Sequence, residues 1–202
     1  ATTEIYTLSL HDALPIFVIP NYNGMKYLPE CMASLCQGQE NAPEYEVLII
    51  DNGSADGSVE YLDSEWCRKK EAPAEEGGKP QVRLIALPEN TGFCHAVNLG
   101  IREARSSYVI LLNNDTRVEA GFVKGLYDAI RKDEKIFSVS AKMLMRDKPE
   151  LLDDAGDRYC VLGWAYSRGK GRPAVDYDKN VSIFSACGGA AIYRRQVFEE
   201  IG

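Results

Sequence analysis

YVILLNNDT, residues 108–116, decides the fold of this chain, because an apolar run stops there at a cluster of oxygen-bearing side chains. A strand buried on both faces of a parallel sheet has a continuous apolar sequence, whereas a half-exposed strand alternates. Ligands of open α/β sheets gather at the carboxyl ends of such strands. The stretch therefore predicts a buried parallel strand that places Asp115 where a divalent cation and a phosphate group can meet.

Four further apolar runs predict strands, and segments with helical spacing separate them. The predicted strands are residues 16–20, 46–50, 82–87 and 136–141. Apolar residues that share a helical face occur within residues 28–35, 59–62, 93–101 and 122–130. Strands alternating with helices indicate βαβ units and therefore an α/β fold with a doubly wound, mostly parallel sheet.

The chain of 202 residues suits one domain, predicted at residues 16–202. Residues 1–15 are expected to be a non-native or disordered leader, because they resemble translated sequencing adapter; the alternative is an extra strand, since Tyr6, Leu8 and Leu10 alternate. Residues 68–80 are rich in Gly, Pro and Glu and predict a mobile surface loop. Residues 153–178 carry four glycines among aromatic and charged residues and predict a long functional loop.

Composition excludes several classes of function. The net charge of −7 argues against a broad nucleic-acid-binding face, although Arg168, Lys170 and Arg172 leave a local basic patch open. The six cysteines form no C-x-x-C pair and only two histidines are present, so a zinc site is not expected. Scattered cysteines indicate buried free thiols in a reducing, cytoplasmic compartment. The apolar runs are all shorter than 18 residues, so no transmembrane segment is expected.

Polar loops follow the first two predicted strands. The loop at residues 21–24 leads into a helix and leaves free backbone N–H groups for a ligand, although N-x-N-G is also an ordinary turn. Asp51 ends the second strand and is predicted to accept hydrogen bonds from a nucleobase or ribose; the alternative is a turn former. For Asp56, just before the next helix, the turn and helix-cap role is preferred.

The third predicted strand leads into a helix through Pro88–Gly92. Either Asn90 or Thr91 is expected to cap that helix, and Phe93 is expected to pack inward. Gly100 lies in mid-helix, where glycine costs about 1 kcal/mol relative to alanine, so close packing is expected there. The side chain of Asn98 points either to the loops or to solvent.

The segment Asn113-Asn114-Asp115 predicts a magnesium or manganese site. These cations prefer oxygen ligands and often use one or two carboxylates, leaving the other positions to substrate phosphates and water. A cation held in this way neutralises charge on a departing nucleoside diphosphate. Asn113 offers only an amide oxygen, so weak affinity is expected without nucleotide; the alternative is an Asx-rich turn.

Five motifs, in this order, resemble those of the inverting GT-A-fold glycosyltransferases of family 2, especially the branch with bacterial rhamnosyltransferases. They are VIPNYNG (18–24), VLIIDNGSADGS (47–58), ENTGF…NLGI (89–101), VILLNNDT (109–116) and SACGGAAIYRRQVFEEIG (185–202). The resemblance covers roughly residues 16–202. It implies transfer of a sugar, with inversion, from a dTDP- or UDP-sugar to a hydroxyl acceptor, with dTDP-rhamnose as the first expectation.

The resemblance also assigns expected roles to residues. Asp115 would be the metal ligand, with Asn113 departing from the strict D-x-D form. Arg194 and Arg195 would face either phosphate or solvent. The donor nucleotide would be bound by Pro20, Asn21, Tyr22, Asn23, Asp51, Asn52, Gly92, Asn98 and Asn114. The donor sugar and acceptor side would be formed by Cys187, Gly188 and Gly189.

The resemblance places the general base in an acidic pair beyond Gly202. Inversion needs such a carboxylate, which contributes roughly 10²–10⁴-fold in rate, and Glu199 and Glu200 are not expected to replace it. Residues 16–202 are therefore expected to bind donor with little transfer. The parent enzyme would act at the cytoplasmic membrane face in cell-surface polysaccharide or glycan synthesis, on acceptors that include lipid-linked glycans.

Two other functions remain open at the level of the sequence. A nucleotidyltransferase also uses carboxylate-bound magnesium, but it should show a Gly-rich, basic loop after the first strand, and residues 21–24 are neither. A non-catalytic nucleotide-binding module would differ from a transferase in donor hydrolysis and in its dependence on added manganese.

Overall fold

A computed structural model describes residues 14–39, 41–67 and 80–201 of the protein. Two predictions fall mostly outside these residues and stay predictions. They are the leader at residues 1–15 and the surface loop at residues 68–80. Within the described ranges, no helix has the length and the apolar character needed to cross a membrane.

The described residues form a central sheet of six strands in the order β3-β2-β1-β4-β10-β5. Strands β1 to β4 are mutually parallel, whereas β10 pairs antiparallel with both β4 and β5. The strands are β1 (Ile16–Asn21), β2 (Glu46–Asp51), β3 (Gln81–Ala86), β4 (Tyr108–Leu112), β5 (Ser138–Ser140) and β10 (Ala190–Arg194). The predicted α/β fold with a mostly parallel sheet is confirmed.

Helices cover both faces of this sheet, as in a doubly wound fold. One face packs against α1, α2 and α4, and the other against α3 and α5. The helices are α1 (Leu28–Cys36), α2 (Ser58–Leu62), α3 (Phe93–Glu103), α4 (Phe122–Ile130) and α5 (Arg195–Ile201), with a π-helical turn (Asp63–Cys67) after α2. Within β1, Phe17 belongs to the first core and Val18 to the second, because alternate strand residues point to opposite faces.

The long loop predicted at residues 153–178 is wrong, because short antiparallel strands occupy this region. Strand β6 (Met143–Met145) pairs with β7 (Lys148–Asp154), and β8 (Asp157–Tyr159) pairs with β9 (Ala165–Ser167). A 3₁₀ helix (Ala174–Tyr177) follows. Strands β6, β8 and β9 have three residues each, which is too short to display an alternating pattern.

The predicted start of α3 is also wrong in two respects. Phe93 is 58% exposed, because the helix begins there and its buried face is formed by Ala96, Val97, Gly100 and Ile101. The residue that caps the helix is Gly92, and no side chain makes a capping hydrogen bond. The side chains predicted to cap this helix are used in the functional site described below.

The close packing predicted at Gly100 is confirmed. A Cβ atom added to Gly100 would lie 2.3 Å from Cγ1 of Val18 and 3.3 Å from Cγ1 of Ile50. Both neighbours belong to strands of the central sheet, and Val18 is fully buried. Helix α3 therefore approaches the sheet more closely than any residue with a side chain would allow.

Two glycines in helix interiors should respond oppositely to the same substitution. We expect Gly100→Ala to lower the free energy of unfolding by about 1–3 kcal/mol through overpacking against Val18. Gly125 in α4 is exposed, with no atom within 4 Å of an added Cβ, so Gly125→Ala should raise the free energy of unfolding by up to about 1 kcal/mol. Urea denaturation followed by circular dichroism measures both; equal stabilisation would contradict the close approach.

Candidate functional site

The loops after β1, β2, β3 and β4 meet at the carboxyl edge of the sheet, as predicted. The strand register aligns Asn21 with Asp51, and Asp51 with Ala86. The ladder continues past the strand ends, since Asn52 N donates to Asn21 O at 2.8 Å and Leu87 N donates to Asp51 O at 2.8 Å. Side chains from distant parts of the chain are thereby brought together at this edge.

Asp51 is the centre of a buried hydrogen-bond network. It is fully buried, and Asn21 is 1% exposed. Asn21 Nδ2 donates to Asp51 Oδ2 at 2.7 Å, and Ser54 donates from Oγ to Oδ2 at 2.7 Å and from N to Oδ1 at 2.9 Å. Both carboxylate oxygens are therefore partnered inside the protein. Direct bonding of Asp51 to a nucleoside stays a prediction.

Ser54 is a site residue that the sequence-based prediction missed. Besides its two bonds to Asp51, its hydroxyl oxygen accepts a hydrogen bond from Asn23 N at 2.8 Å. The local signal was present, since a Ser three residues after an Asp at a strand end is typical of a side-chain-closed turn. That pattern shows a turn but not the bond to a loop 31 residues away.

The first loop is fastened to the second and the fourth. Asn114 Nδ2 donates to Asn21 Oδ1 at 2.6 Å, and Ala55 N donates to Asn23 Oδ1 at 2.9 Å. A Cβ atom on Gly24 would lie 2.1 Å from Asn114 Nδ2 and 2.2 Å from Asn21 Oδ1. The side chains of Asn21 and Asn114 can therefore form their hydrogen bond only because Gly24 has no side chain. Tyr22 lies beside them with its side chain half exposed.

The role predicted for Asp56 as a turn former is confirmed, whereas the prediction that it caps α2 is wrong, because Gly57 is the N-cap residue. Asp56 Oδ1 accepts from both N and Oγ of Ser58, the first residue of α2, and its Oδ2 accepts from Met25 N at 2.8 Å. The same carboxylate thus fixes the start of a helix and ties the second loop to the first.

Asn52 joins the second loop to the third. Its Nδ2 donates to Asn90 Oδ1 at 2.9 Å, and its Oδ1 accepts from both N and Oγ1 of Thr91 at 2.9 Å. Asn90 and Thr91 are therefore committed to this junction rather than to capping α3. Gly92 and Asn98 are exposed, with Asn98 in the second turn of α3, and their contact with a nucleotide stays a prediction.

The loop after β4 presents Asp115 to solvent. Asn113 O accepts from Thr116 N at 3.2 Å and from Thr116 Oγ1 at 2.6 Å, which closes a tight turn around Asp115. Asp115 is exposed, and its carboxylate has no hydrogen-bond or ion-pair partner in the described part of the chain. The carboxylate is free to bind a cation.

Arg146 is a second residue that the sequence-based prediction missed. It lies between β6 and β7, and its Nη1 donates to the backbone oxygen of Asp115 at 3.1 Å. Its guanidinium also pairs with Glu30 and lies 5.3 Å from the ring centroid of Tyr27. A positive charge therefore stands beside the Asp115 loop, held there by contacts with α1. Arg146 reaches the Asp115 loop only through the pairing of β6 with β7, which the sequence analysis did not predict.

The glycine-containing segment before β10 lies against the Asn113 loop. Asn113 N donates to Gly189 O at 2.9 Å, and a Cβ atom on Gly189 would lie 3.4 Å from Asn113 Nδ2 and 3.6 Å from Cys187 Sγ. Gly189 therefore lies against Asn113, two residues before the predicted metal ligand Asp115, and Cys187 and Gly188 precede it in the same segment. Their contact with the donor sugar stays a prediction.

Arg194 and Arg195 lie at the opposite edge of the sheet, so they do not face a phosphate at this site. Arg195 begins α5 with a side chain that is 31% exposed and paired with Glu199, in agreement with the solvent alternative. Arg194 pairs with Tyr108, the first residue of β4, and donates to Ile130 O at 2.8 Å and to Ile136 O at 2.7 Å. Arg195 Nε donates to Ser106 O at 2.8 Å. Both arginines bind backbone carbonyl groups, because antiparallel β10 carries its end away from the site.

The donor set at this edge fits a magnesium or manganese ion only in the company of a phosphate ligand. Among the residues that the structure describes, no three His, Cys, Asp or Glu side chains come together as a metal centre. Asp115 supplies one carboxylate and Asn113 an amide. A hard divalent cation there needs further oxygen ligands, which a pyrophosphate and water can supply.

Comparison with known proteins identifies the family. The family model described as Glycosyl transferase family 2 matches residues 16–202. This chain belongs to glycosyl transferase family 2. The family resemblance noted in the sequence is confirmed at this level, whereas the rhamnosyltransferase branch and inversion stay predictions.

Curated relatives of this family 2 chain are distant and longer. It is 26% identical over 171 residues to the glycosyltransferase GlyG of Streptococcus pneumoniae serotype 4. This alignment covers 83% of this chain and 52% of GlyG. It is 26% identical over 98 residues to the teichoic acid poly(glycerol phosphate) polymerase of Staphylococcus epidermidis, which covers 48% of this chain and 12% of the polymerase. The chain spans about half the length of GlyG and less of the polymerase.

Solved structures of similar fold are glycosyltransferases. S. aureus TarS 1-349 in complex with UDP-GlcNAc has a TM-score of 0.63 at 19% identity, over 93% of this chain and 47% of TarS. The mannosyltransferase PcManGT of Pyrobaculum calidifontis, in complex with GDP-Man and Mn²⁺, has a TM-score of 0.62 at 18% identity. The match covers 93% of this chain and 46% of PcManGT. The predicted GT-A fold is confirmed.

The Asp51 network should contribute measurably to stability. Ser54→Ala removes the hydroxyl bond to the buried Asp51 carboxylate and the acceptor of Asn23 N, while the backbone bond to Asp51 stays. We expect the free energy of unfolding to fall by about 1–3 kcal/mol. Ser64→Ala is the matched control, because the exposed Ser64 makes one bond, to Tyr61 O at 3.3 Å, and should change stability by less than about 0.5 kcal/mol. Urea denaturation compares the two; equal effects would contradict the central role of Asp51.

Cys31 should resist thiol reagents in the native protein. Burial raises the pKa of its thiol to about 12, and the nearby carboxylates of Asp115 and Glu30 act in the same direction. The thiolate is the reactive form, so at pH 8 we expect a maleimide to label the exposed Cys94 and to reach Cys31 only after unfolding. Peptide mass spectrometry measures both sites; rapid native labelling of Cys31 would contradict its burial.

Proposed function

We propose that this family 2 chain binds the nucleoside-diphosphate sugar donor of an inverting glycosyltransferase at the carboxyl edge of β1, β2 and β4. The observation that carries the proposal is the convergence of Asn21, Asp51 and Asp115 at one edge, through hydrogen bonds among the loops that bear them. Family membership supports transfer chemistry, and TarS with UDP-GlcNAc and PcManGT with GDP-Man are neighbours of the same fold.

The nucleoside is proposed to be uridine or thymidine, bound over the network of Asn21 and Asp51. Uracil and thymine present an N3–H donor, whereas cytosine and adenine present an acceptor at the corresponding edge. A carboxylate such as Asp51, which accepts but does not donate, therefore favours uracil and thymine over cytosine and adenine. Guanine also presents an N–H donor, so GDP-sugars belong in the donor panel. Half-exposed Tyr22 supplies a ring next to this position. Pro20, Asn23, Asn52, Gly92, Asn98 and Asn114 complete the proposed nucleotide site.

Asp115 is proposed to hold Mg²⁺ or Mn²⁺ together with the donor pyrophosphate, with Asn113 beside it. When bound, such a cation stabilises negative charge on the leaving nucleoside diphosphate. The guanidinium of Arg146 donates to the Asp115 backbone oxygen while it is paired with Glu30, so it positions the Asp115 loop. Gly188 and Gly189 leave room for the sugar near Cys187, because neither carries a side chain.

The acceptor is proposed to be a hydroxyl group, including that of a lipid-linked glycan, in cell-surface polysaccharide synthesis at the cytoplasmic membrane face. This resembles the processes in the names of relatives such as the teichoic acid polymerase and the poly-β-1,6-N-acetyl-D-glucosamine synthase of Staphylococcus epidermidis. dTDP-rhamnose is the first donor to test. The resemblance places the general base beyond Gly202, so donor binding, rather than turnover, is the measurement that tests this site.

The decisive variant is Asp115→Ala. In the presence of manganese we expect the affinity for UDP- or dTDP-sugar to fall about tenfold or more, because one charged ligand is worth at least 1.4 kcal/mol or so. Without added cation the variant and the parent should bind equally weakly. Isothermal titration calorimetry measures affinity, and a thermal-shift panel of donors identifies the base and sugar.

Glu134→Ala is the matched control, because Glu134 is exposed beyond α4, at the edge of the sheet where Arg194 lies. It removes the same charge and should leave donor affinity unchanged. Undiminished binding by Asp115→Ala would sink the proposed metal site. Manganese-independent binding with no donor hydrolysis would favour the non-catalytic nucleotide-binding module instead.

A further inference from the structure

The tip of the β8–β9 hairpin has an unusual composition for an exposed turn. Residues 160–164 read Cys-Val-Leu-Gly-Trp, whereas turns favour Gly, Pro, Asn, Asp and Ser. Val161 is fully exposed, Leu162 is 79% exposed and Trp164 is 70% exposed. Three large apolar side chains within four residues therefore project into solvent from one turn.

The backbone of this turn is well defined rather than loose. Gly163 N donates to Cys160 O at 3.0 Å, which closes a turn with Val161 and Leu162 at its centre. Cys160 N donates to Trp164 O at 3.0 Å, and Gly163 has a φ of 87°, in the left-handed region open to glycine. The apolar side chains are thus presented outward by a hydrogen-bonded frame.

The base of the hairpin is anchored to the neighbouring segment. Asp157 N donates to Ser185 O at 2.9 Å, and Ser185 Oγ donates to Asp157 Oδ2 at 2.8 Å. The rings of Tyr159 and Phe184 stack with centroids 4.8 Å apart. A hairpin held in this way at its base carries its tip as a fixed projection.

Positive charge accompanies this projection. Residues 157–184 hold five Lys and Arg against three Asp, while the whole chain carries −7. Lys170 of this set pairs with Asp153, so the arginines carry the local positive charge. Arg158 is exposed and lies two residues before the turn, opposite Tyr166 in the hairpin register. Arg168 follows β9 and lies 4.6 Å from the ring centroid of Tyr177. An apolar tip with Trp and flanking arginines has the chemistry of a segment that enters an anionic lipid interface.

We propose that the turn at residues 160–164 inserts into the headgroup region of an anionic bilayer and docks the protein there. A turn that projects as a narrow tip suits insertion into a bilayer, whereas a stable protein interface buries roughly 800 Å² on each side. Insertion needs only a narrow convex tip, with basic groups at headgroup level.

Docking by this turn has a consequence for the acceptor. The segment that anchors the hairpin, residues 181–185, leads directly into Cys187, Gly188 and Gly189 beside the Asn113 loop. A lipid-linked hydroxyl acceptor would then reach the donor-sugar side from the membrane surface. This consequence rests on the proposed function, whereas lipid binding by the turn does not.

Vesicle co-sedimentation of the full chain, without donor or cation, tests the proposal. We expect binding to vesicles of equal phosphatidylcholine and phosphatidylglycerol, weakened by high salt, and little binding to phosphatidylcholine alone. Full burial of one leucine side chain corresponds to roughly ten- to hundredfold in a partition coefficient, so Leu162→Asp should lower binding about tenfold or more. Arg158→Glu should weaken binding to the anionic vesicles specifically.

Val175→Asp is the matched control, because Val175 is 75% exposed but belongs to the 3₁₀ helix rather than the turn. It should bind vesicles as the parent does, and circular dichroism should show that all variants fold. Trp164 emission should shift to the blue on binding, and Trp164→Phe should abolish the shift while Trp66 stays unchanged.

Three outcomes would overturn the proposal. The first is absence of binding to anionic vesicles, and the second is an equal loss of vesicle binding in Leu162→Asp and Val175→Asp. The third is self-association without vesicles that Leu162→Asp disrupts, which would make a second copy of the chain the partner. Because no nucleotide is present, vesicle binding can fail while donor binding through Asp115 succeeds, and the reverse. The two proposals are therefore tested separately.

Discussion

The buried carboxylate of Asp51 is the constraint on which the rest of the site depends. A fully buried charge is costly unless hydrogen-bond donors surround it, and here Asn21 and Ser54 provide them. Asn21 in turn accepts a hydrogen bond from the side-chain amide of Asn114, the residue before Asp115. The bonds that make the buried charge tolerable therefore also set the spacing between the proposed nucleoside side and the proposed metal side.

The antiparallel strand β10 is the second organising feature. It enters the sheet beside β4, so its start brings Gly189 to Asn113 and its end takes Arg194 to the far edge. Because β10 runs antiparallel to β4, the segment before it, residues 187–189, lies next to the site. Arg194 and Arg195, at its other end, bind backbone carbonyl groups at the opposite edge of the sheet. Arg194 binds the end of α4 and Arg195 binds the segment before β4, so neither contributes charge to a phosphate site at the carboxyl edge.

The site separates polar groups that serve the structure from groups left for ligands. No buried side-chain nitrogen or oxygen in the described residues lacks a hydrogen-bond partner. The amides of Asn52 and Asn114 are used between loops, whereas Asp115 is exposed with its carboxylate unpaired in the described part of the chain. Solved structures with about one residue in five identical share this fold, and a shared fold does not by itself define a function.

By itself, the sequence determined the parallel strands, the helices between them and the carboxyl edge where the polar loops meet. Continuous apolar runs such as residues 108–112 and the packing glycine Gly100 are local signals, because burial and helix periodicity are written into neighbouring residues. The order of motifs along the chain then pointed to the family, and the match over residues 16–202 confirmed it.

Only the tertiary structure decided which polar side chains bind each other and which remain free. Ser54 and Arg146 join the site through contacts with residues far away in the chain, and Phe93 is exposed although its spacing suggested burial. The β8–β9 hairpin is built from three-residue strands, too short for a periodic pattern. Such features depend on pairing between distant segments, and that information does not reside in any local stretch of sequence.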